Sequence, residues 1–140
     1  MIKSAVLTNQ IIVQAVNKKG TLADIAKLTS EHGINIEAMA GYVADGDTAT
    51  LMLVTDDERR TVDLLKEHGY QSVHETKVIY IEIESKPGAL KVISDKLAGN
   101  DIDIKYNYGT TSSGARYSRM VLGTSDNEKA VVLLQKFTEE

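Results

Sequence analysis

The strongest constraint on this chain is that it repeats itself. Displaced by 68 positions, Gly20 falls on Gly88, Leu22 on Leu90, Ile25 on Ile93, Ile34 on Ile102 and Ile36 on Ile104. The same offset pairs Gly41 with Gly109 and Met52 with Met120. Upstream it pairs Ser4 with Ser72, Thr8 with Thr76, Ile11 with Ile79 and Lys18 with Lys86. One inserted residue after Met120 restores the match, so Asp57 meets Asp126 and Leu64-Leu65 meets Leu133-Leu134. These matches fall on turn glycines and apolar face positions, where a fold restricts the residue type. The chain must therefore build one supersecondary unit twice.

Each copy carries the same local signals. Residues 2–8 and 70–76 read as short, moderately apolar strands. Residues 11–16 and 79–84 alternate, with Ile11, Val13 and Ala15, and then Ile79, Ile81 and Ile83, forming one face. Helices follow over 21–32 and 89–98. Leu22, Ile25 and Leu28, and Leu90, Ile93 and Leu97, make their apolar stripes. His32-Gly33 and Gly99-Asn100 are stop signals. Strands at 34–43 and 48–55 flank Ala44-Asp45-Gly46-Asp47, a hairpin turn. Their counterparts at 102–109 and 117–123 flank the longer Thr110–Arg116 segment. Helices near 57–68 and 126–137 close each copy.

That order predicts an α+β fold of two ferredoxin-like βαββαβ units, with antiparallel sheets and helices on one face. The units are expected at 9–76 and 77–140. The second unit runs out of chain before its last strand, and by the repeat residues 2–8 align with the missing piece. The N-terminal strand is therefore predicted to complete the second unit.

Composition removes several function classes. There is no cysteine, so disulfides, thiolate metal sites and a cysteine nucleophile are excluded. A formal charge of −4, with six Tyr, one Phe and no Trp, does not suit a nucleic-acid surface. No apolar run approaches the roughly 18 residues of a membrane span, and Met1–Ser4 does not begin a signal peptide. The expectation is a cytoplasmic protein with no membrane or nucleic-acid partner. His32, His68 and His74 have no metal-ligand spacing, and there is no Ser-His-Asp order, paired carboxylate motif or phosphate loop. No metal, cofactor or catalytic residue is expected, and the chain is read as a non-enzyme.

The loops make a resemblance specific. A strand followed by Asn17-Lys18-Lys19-Gly20-Thr21-Leu22, then Ile25, then Gly33-Ile34-Asn35-Ile36, resembles the ACT domain. The second copy, Ser85-Lys86-Pro87-Gly88-Ala89-Leu90 with Asp101-Ile102-Asp103-Ile104, carries that family's frequent Pro-Gly. ACT domains are small ligand-binding regulatory modules of amino-acid metabolism. The chain is similar to a stand-alone pair of them. In the serine-binding regulatory domain of phosphoglycerate dehydrogenase, asparagines contact the effector from two places. By that resemblance Asn17 and Asn35 take those places in the first unit, and Ser85 and Asp103 stand there in the second. The family's histidine two residues before the loop asparagine is replaced by Ala15 and Ile83.

The residues themselves make the location reasonable. Gly20 and Gly88 let backbone approach a ligand closely. The N–H groups opening each helix, over Thr21-Leu22 and Ala89-Leu90, lie at the positive dipole end and suit a carboxylate. An Asn amide offers donors and an acceptor, and Asp103 suits an ammonium group. The expected function is regulatory binding of a small ligand, a free amino acid, between ACT units of a homodimer, read out through packing or assembly. The alternative is a protein-interaction subunit of a biosynthetic enzyme, such as acetolactate synthase. Of the two loops, that of Gly20, which keeps the asparagine pair, is the first expectation for the site.

Overall fold

The computed structural model describes residues 1–111 and 113–138, so Ser112, within the predicted Thr110–Arg116 turn, lies outside them. The elements run β1 (Ile2–Val16), α1 (Thr21–Glu31), β2 (Ile36–Asp45), β3 (Thr48–Thr55), α2 (Glu58–Glu67) and β4 (Ser72–Glu84). They continue with α3 (Ala89–Ala98), β5 (Ile104–Thr110), β6 (Tyr117–Thr124) and α4 (Asn127–Gln135). The chain forms two compact units. One is Asn9–Thr76, and the other combines Met1–Thr8 with the chain from Lys77 onward.

Each unit is a mixed α+β, ferredoxin-like βαββαβ arrangement. In the Asn9–Thr76 unit the strands lie in the order β2-β3-β1-β4. β3 is antiparallel to both β1 and β2, with Ile11 opposite Leu53 and Met39 opposite Leu53 from the other side. Its core sets Ile11, Val13, Leu51 and Leu53 of the sheet against Ile25 and Leu28 of α1 and Val62 and Leu65 of α2. In the other unit the order is β1-β4-β6-β5, and β6 is antiparallel to β4 and β5. There Ile2 and Ala5 of β1 join Ile79, Ile81 and Leu122 under Ile93, Leu97, Ala130 and Leu134. Gln135 donates from Nε2 to the Ala5 carbonyl at 3.0 Å, and the Glu84 amide donates to the Met1 carbonyl at 2.8 Å. Each fully buried Leu or Ile contributes about 1.5–3 kcal/mol, so these clusters dominate the stability of each unit.

Several boundaries differ from the periodicity. Residues 2–8 and 11–16 are not two strands but one, and 70–76 joins 79–84 to form β4. No glycine or proline interrupts Asn9-Gln10 or Lys77-Val78, so nothing turns the chain there. Gln10 is fully buried, and its amide is satisfied by Thr76 Oγ1 at 3.2 Å. β2 begins at Ile36 because Ile34 still belongs to the end of α1: its amide donates to the Thr29 carbonyl, with Gly33 left-handed at φ 70. Ile102 does the same with the Leu97 carbonyl, and here a non-glycine, Asp101, takes the left-handed position at φ 59.

The predicted apolar stripes are also narrower than expected. Ile25 and Leu28, and Ile93 and Leu97, are buried. Leu22 and Leu90 are not core residues and remain 46% and 48% exposed. They sit one turn too early, where each helix is only beginning to reach over its sheet.

Candidate functional site

β1 and α1 are joined by a loop that turns at Gly20, and β4 and α3 by one that turns at Gly88. Both glycines are left-handed, at φ 89 and φ 88. A side chain at either would meet nothing within 4 Å, so it is backbone conformation that requires glycine. The four helices then fall into two kinds. α2 and α4 are capped by their own carboxylates, Asp57 accepting from the Arg60 amide at 3.2 Å and Asp126 from the Lys129 amide at 3.1 Å. α1 and α3 start from glycine and have no side-chain cap. The Ala89 amide donates to the Lys86 carbonyl at 3.3 Å, and the remaining first-turn amides keep hydrogen-bonding capacity for an acceptor from outside the helix.

A cleft opens beside each uncapped helix start. In the unit containing Lys77 onward it has a volume of about 460 Å³, with Ile83, Ala89, Leu90 and Met120 among its apolar lining and Ser85, Thr110 and Ser118 among its polar lining. In the Asn9–Thr76 unit it is about 320 Å³, bounded by Leu22, Met39, Tyr42, Val43 and Leu51. Gly109 and Gly41 line the two at repeat-equivalent positions. A Cβ at Gly109 would lie 2.5 Å from the Arg119 carbonyl oxygen, and one at Gly41 would lie 2.7 Å from Leu51 Cδ2. The repeat aligns these glycines, but nothing local in the sequence says that they border a cleft.

The expected loop residues are placed unequally. Asn17 donates from Nδ2 to the Gly46 carbonyl at 3.0 Å, while its backbone amide donates to the Asp47 carbonyl at 2.9 Å. Its side chain thus ties the loop to the β2–β3 hairpin. Thr21 donates its hydroxyl to the Lys18 carbonyl at 3.1 Å and the Val16 carbonyl at 3.3 Å. In the second copy the backbone tie persists, with the Ser85 amide donating to the Arg116 carbonyl at 2.8 Å. The Ser85 hydroxyl has no partner among the described residues and lines the cleft with Ala89 and Leu90.

Asn35 and Asp103 stand far from the loops of their own units. Val16 lies opposite Thr48 and Ile36 opposite Thr55, so the two ends of β3 separate Asn17 from Asn35 by about 23 Å, at roughly 3.3 Å per residue. Asn35 forms a backbone corner with Asp56, donating its amide to Oδ1 at 2.9 Å and accepting from the Asp56 amide at 3.1 Å. Asp103 forms the same corner with Ser125, at 2.9 Å in both directions. Within one unit, neither pair can grip a single amino acid.

A further cleft of about 620 Å³ was not foreseen. It lies in the Asn9–Thr76 unit, where β1 ends and β4 begins, lined in part by Asp24, Asp47, His68 and Tyr70. Burial, reinforced by the charge of Asp24, raises the pKa of the Tyr70 hydroxyl. His68 is occupied in ending α2, its Nδ1 lying 2.9 Å from the Leu64 carbonyl oxygen. His32 ends α1 in the same way against the Leu28 carbonyl. Among the described residues no group of three or more His, Asp or Glu side chains could hold a metal ion, and no helix is long and apolar enough to cross a membrane.

A glycine-started, uncapped helix following a strand, repeated over a ferredoxin-like sheet, is the arrangement against which comparison with known proteins is informative. Residues 9–69 match the ACT domain family. The match falls within the Asn9–Thr76 unit. A protein from Bacteroides thetaiotaomicron has a similar structure, with a TM-score of 0.86 at 23% identity over 94% of this chain and 89% of that one. The ligand-free regulatory subunit of aspartate kinase from Thermus thermophilus gives a TM-score of 0.70 at 14% identity, over 99% of both chains. A structure of aspartokinase alpha and beta subunits gives 0.65 at 20% identity, over 97% of both. At these identities the likeness is one of fold. No curated protein matches the chain.

Proposed function

We propose that this chain is a non-catalytic, tandem-ACT regulatory protein of the cytoplasm that binds a free amino acid at a glycine loop. The second ACT unit would be the one combining residues 2–8 with the chain from Lys77 onward. The observation that carries this reading is that both helices following the glycine loops begin uncapped beside a cleft, within a chain whose residues 9–69 match the ACT domain. An α-carboxylate suits those helix starts, and its ammonium group suits hydroxyl or carbonyl acceptors on the facing strands. The same strand order in both units supports the tandem. In a homodimer, Asn35 or Asp103 of a second copy would approach the loop that its own unit keeps it from. Ligand binding would then favour one packing or assembly state over another.

A thermal-shift screen of the twenty amino acids tests this, because a ligand that binds only the native state raises the melting temperature. At least one is expected to do so. The likeness to a separate regulatory subunit of aspartate kinase favours a second reading, in which the chain docks on a biosynthetic enzyme and ligand is secondary. Absence of any shift, together with recovery of one enzyme at fixed stoichiometry, selects that reading.

A further inference from the structure

We infer that the chain self-associates through β2, whose outer edge pairs antiparallel with β2 of a second copy about a two-fold axis near Ala40 and Gly41. Each unit ends its sheet in two edge strands, and three of these four edges are protected. β5 carries Lys105 and Asn107. The outer stretch of β4 carries His74 and Glu75, both exposed. Over Ile2–Thr8 of β1, Gln135 donates to the Ala5 carbonyl at 3.0 Å, and Thr138 forms a bridge with Ile2. Charged side chains and a covering segment keep a sheet edge from recruiting another chain. β2 has neither from Ala38 to Ala44, a run of Ala, Met, Gly, Tyr and Val with no charge and no proline.

That edge is also apolar. Leu22, Met39, Tyr42 and Val43 are all exposed, and they gather along one cleft beside it. At the repeat-equivalent positions of β5 and the segment after it, Asn107 stands for Met39, Thr110 for Tyr42 and Thr111 for Val43. The two copies of the unit thus diverge at the edge, with an adhesive face on β2 and a polar one on β5. Charge identifies the occupant as a second copy. Glu37 precedes the run. Lys18 and Lys19 lie at its far end, since Asn17 bonds to Gly46 and Asp47, and Leu22 borders the cleft with Val43. None of these three charges has an ion-pair partner among the described residues. Antiparallel pairing about a two-fold axis carries Glu37 of each copy to the lysine end of the other, so the attraction forms twice. Such a contact closes on itself, and the polar β5 edge stops further growth.

Sedimentation equilibrium of the full chain, without ligand, tests the inference, and a dimer is expected in the micromolar range. Met39→Lys with Val43→Lys, both at exposed positions, should raise the dimer dissociation constant at least about tenfold. Circular dichroism checks that this variant remains folded. Asn107→Lys, the repeat-equivalent of Met39→Lys, should alter the constant less than about twofold. Glu37→Lys should weaken the dimer, and Lys18→Glu with Lys19→Glu in that background should restore it. A monomer throughout that range, assemblies larger than a dimer, or a dimer that survives Met39→Lys with Val43→Lys would overturn the inference. Dissociation by Asn107→Lys, or a Glu37→Lys defect that the lysine changes deepen, would do the same. The inference specifies the homodimer of the reading above, but the thermal-shift screen is independent of it, so a monomer that still binds an amino acid removes only the pairing.

Discussion

The ring of Tyr106 lies across Gly123, its cross-strand partner on β6. A Cβ at Gly123 would run into the ring, with Cε2 only 2.7 Å away and two further ring atoms closer still. The missing side chain is therefore the seat for the aromatic one, just after the irregularity in register between Ile104 and Tyr106. Gly123→Ala is expected to cost about 1–3 kcal/mol in denaturant unfolding, the usual penalty of overpacking. Tyr106→Ala in the same background should recover part of that loss. Purely additive effects would show that the contact is not the cause.

Asp101 offers the opposite case, a residue whose conformation its type does not favour. It holds the left-handed position at the end of α3 that Gly33 holds after α1. Asp101→Gly is expected to stabilise the protein by about 0.5–1 kcal/mol, since glycine takes that conformation without Cβ strain. Gly33→Ala should destabilise it by about 1–2 kcal/mol. Thermal unfolding of the two variants checks both signs.

The carboxylate caps should be measurable where the glycine loops have none. Asp126→Ala removes the acceptor for the Lys129 amide and is expected to cost about 1 kcal/mol, within the 0.5–2 range of such caps. Asp57→Ala, which deprives the Arg60 amide, should cost a similar amount. Urea midpoints for the two variants test this. A cost near zero at both sites would mean that solvent replaces the carboxylates without loss.

Burial raises the pKa of the Tyr108 hydroxyl well above the ordinary tyrosine value, and the neighbouring Tyr106 and Tyr80 add to the effect. With the folded value above the unfolded one near 10, the unfolded chain loses this proton first as pH rises. The stabilisation is thus complete below about pH 10 and is lost as pH climbs beyond it. Tyr108→Phe should make the melting temperature fall less steeply above about pH 10 than in the parent protein. An unchanged slope would show that Tyr108 does not govern the alkaline limb.

Much of this architecture is legible one residue at a time. The alternation of Ile79, Ile81 and Ile83 marks a half-buried strand, and all three are buried beneath α3 and α4. Asp57 and Asp126, aligned by the repeat, open helices at equivalent places and cap them in the same way. The turn glycines announce where each first helix starts. These are short-range properties, set by backbone conformation and by the 2.0 and 3.6 residue periods.

What the sequence by itself determined, then, was the repeated unit, its elements and the two loops. Only the tertiary structure decided that residues 2–16 form one strand, with Gln10 buried along it and bonded to Thr76. Only it decided that Asn35 lies at the far end of its unit from Asn17, a distance set by the register of β3. Most of all, it decided which polar side chains at the two loops are already bonded. Asn17 and Ser85 stand at the same position in the repeat, but Gly46 accepts a hydrogen bond from one side chain, and the other faces a cleft that Gly109 and Met120 help to form. Whether a polar group is spent or available depends on residues distant in the chain, and those meet only when the sheet is assembled.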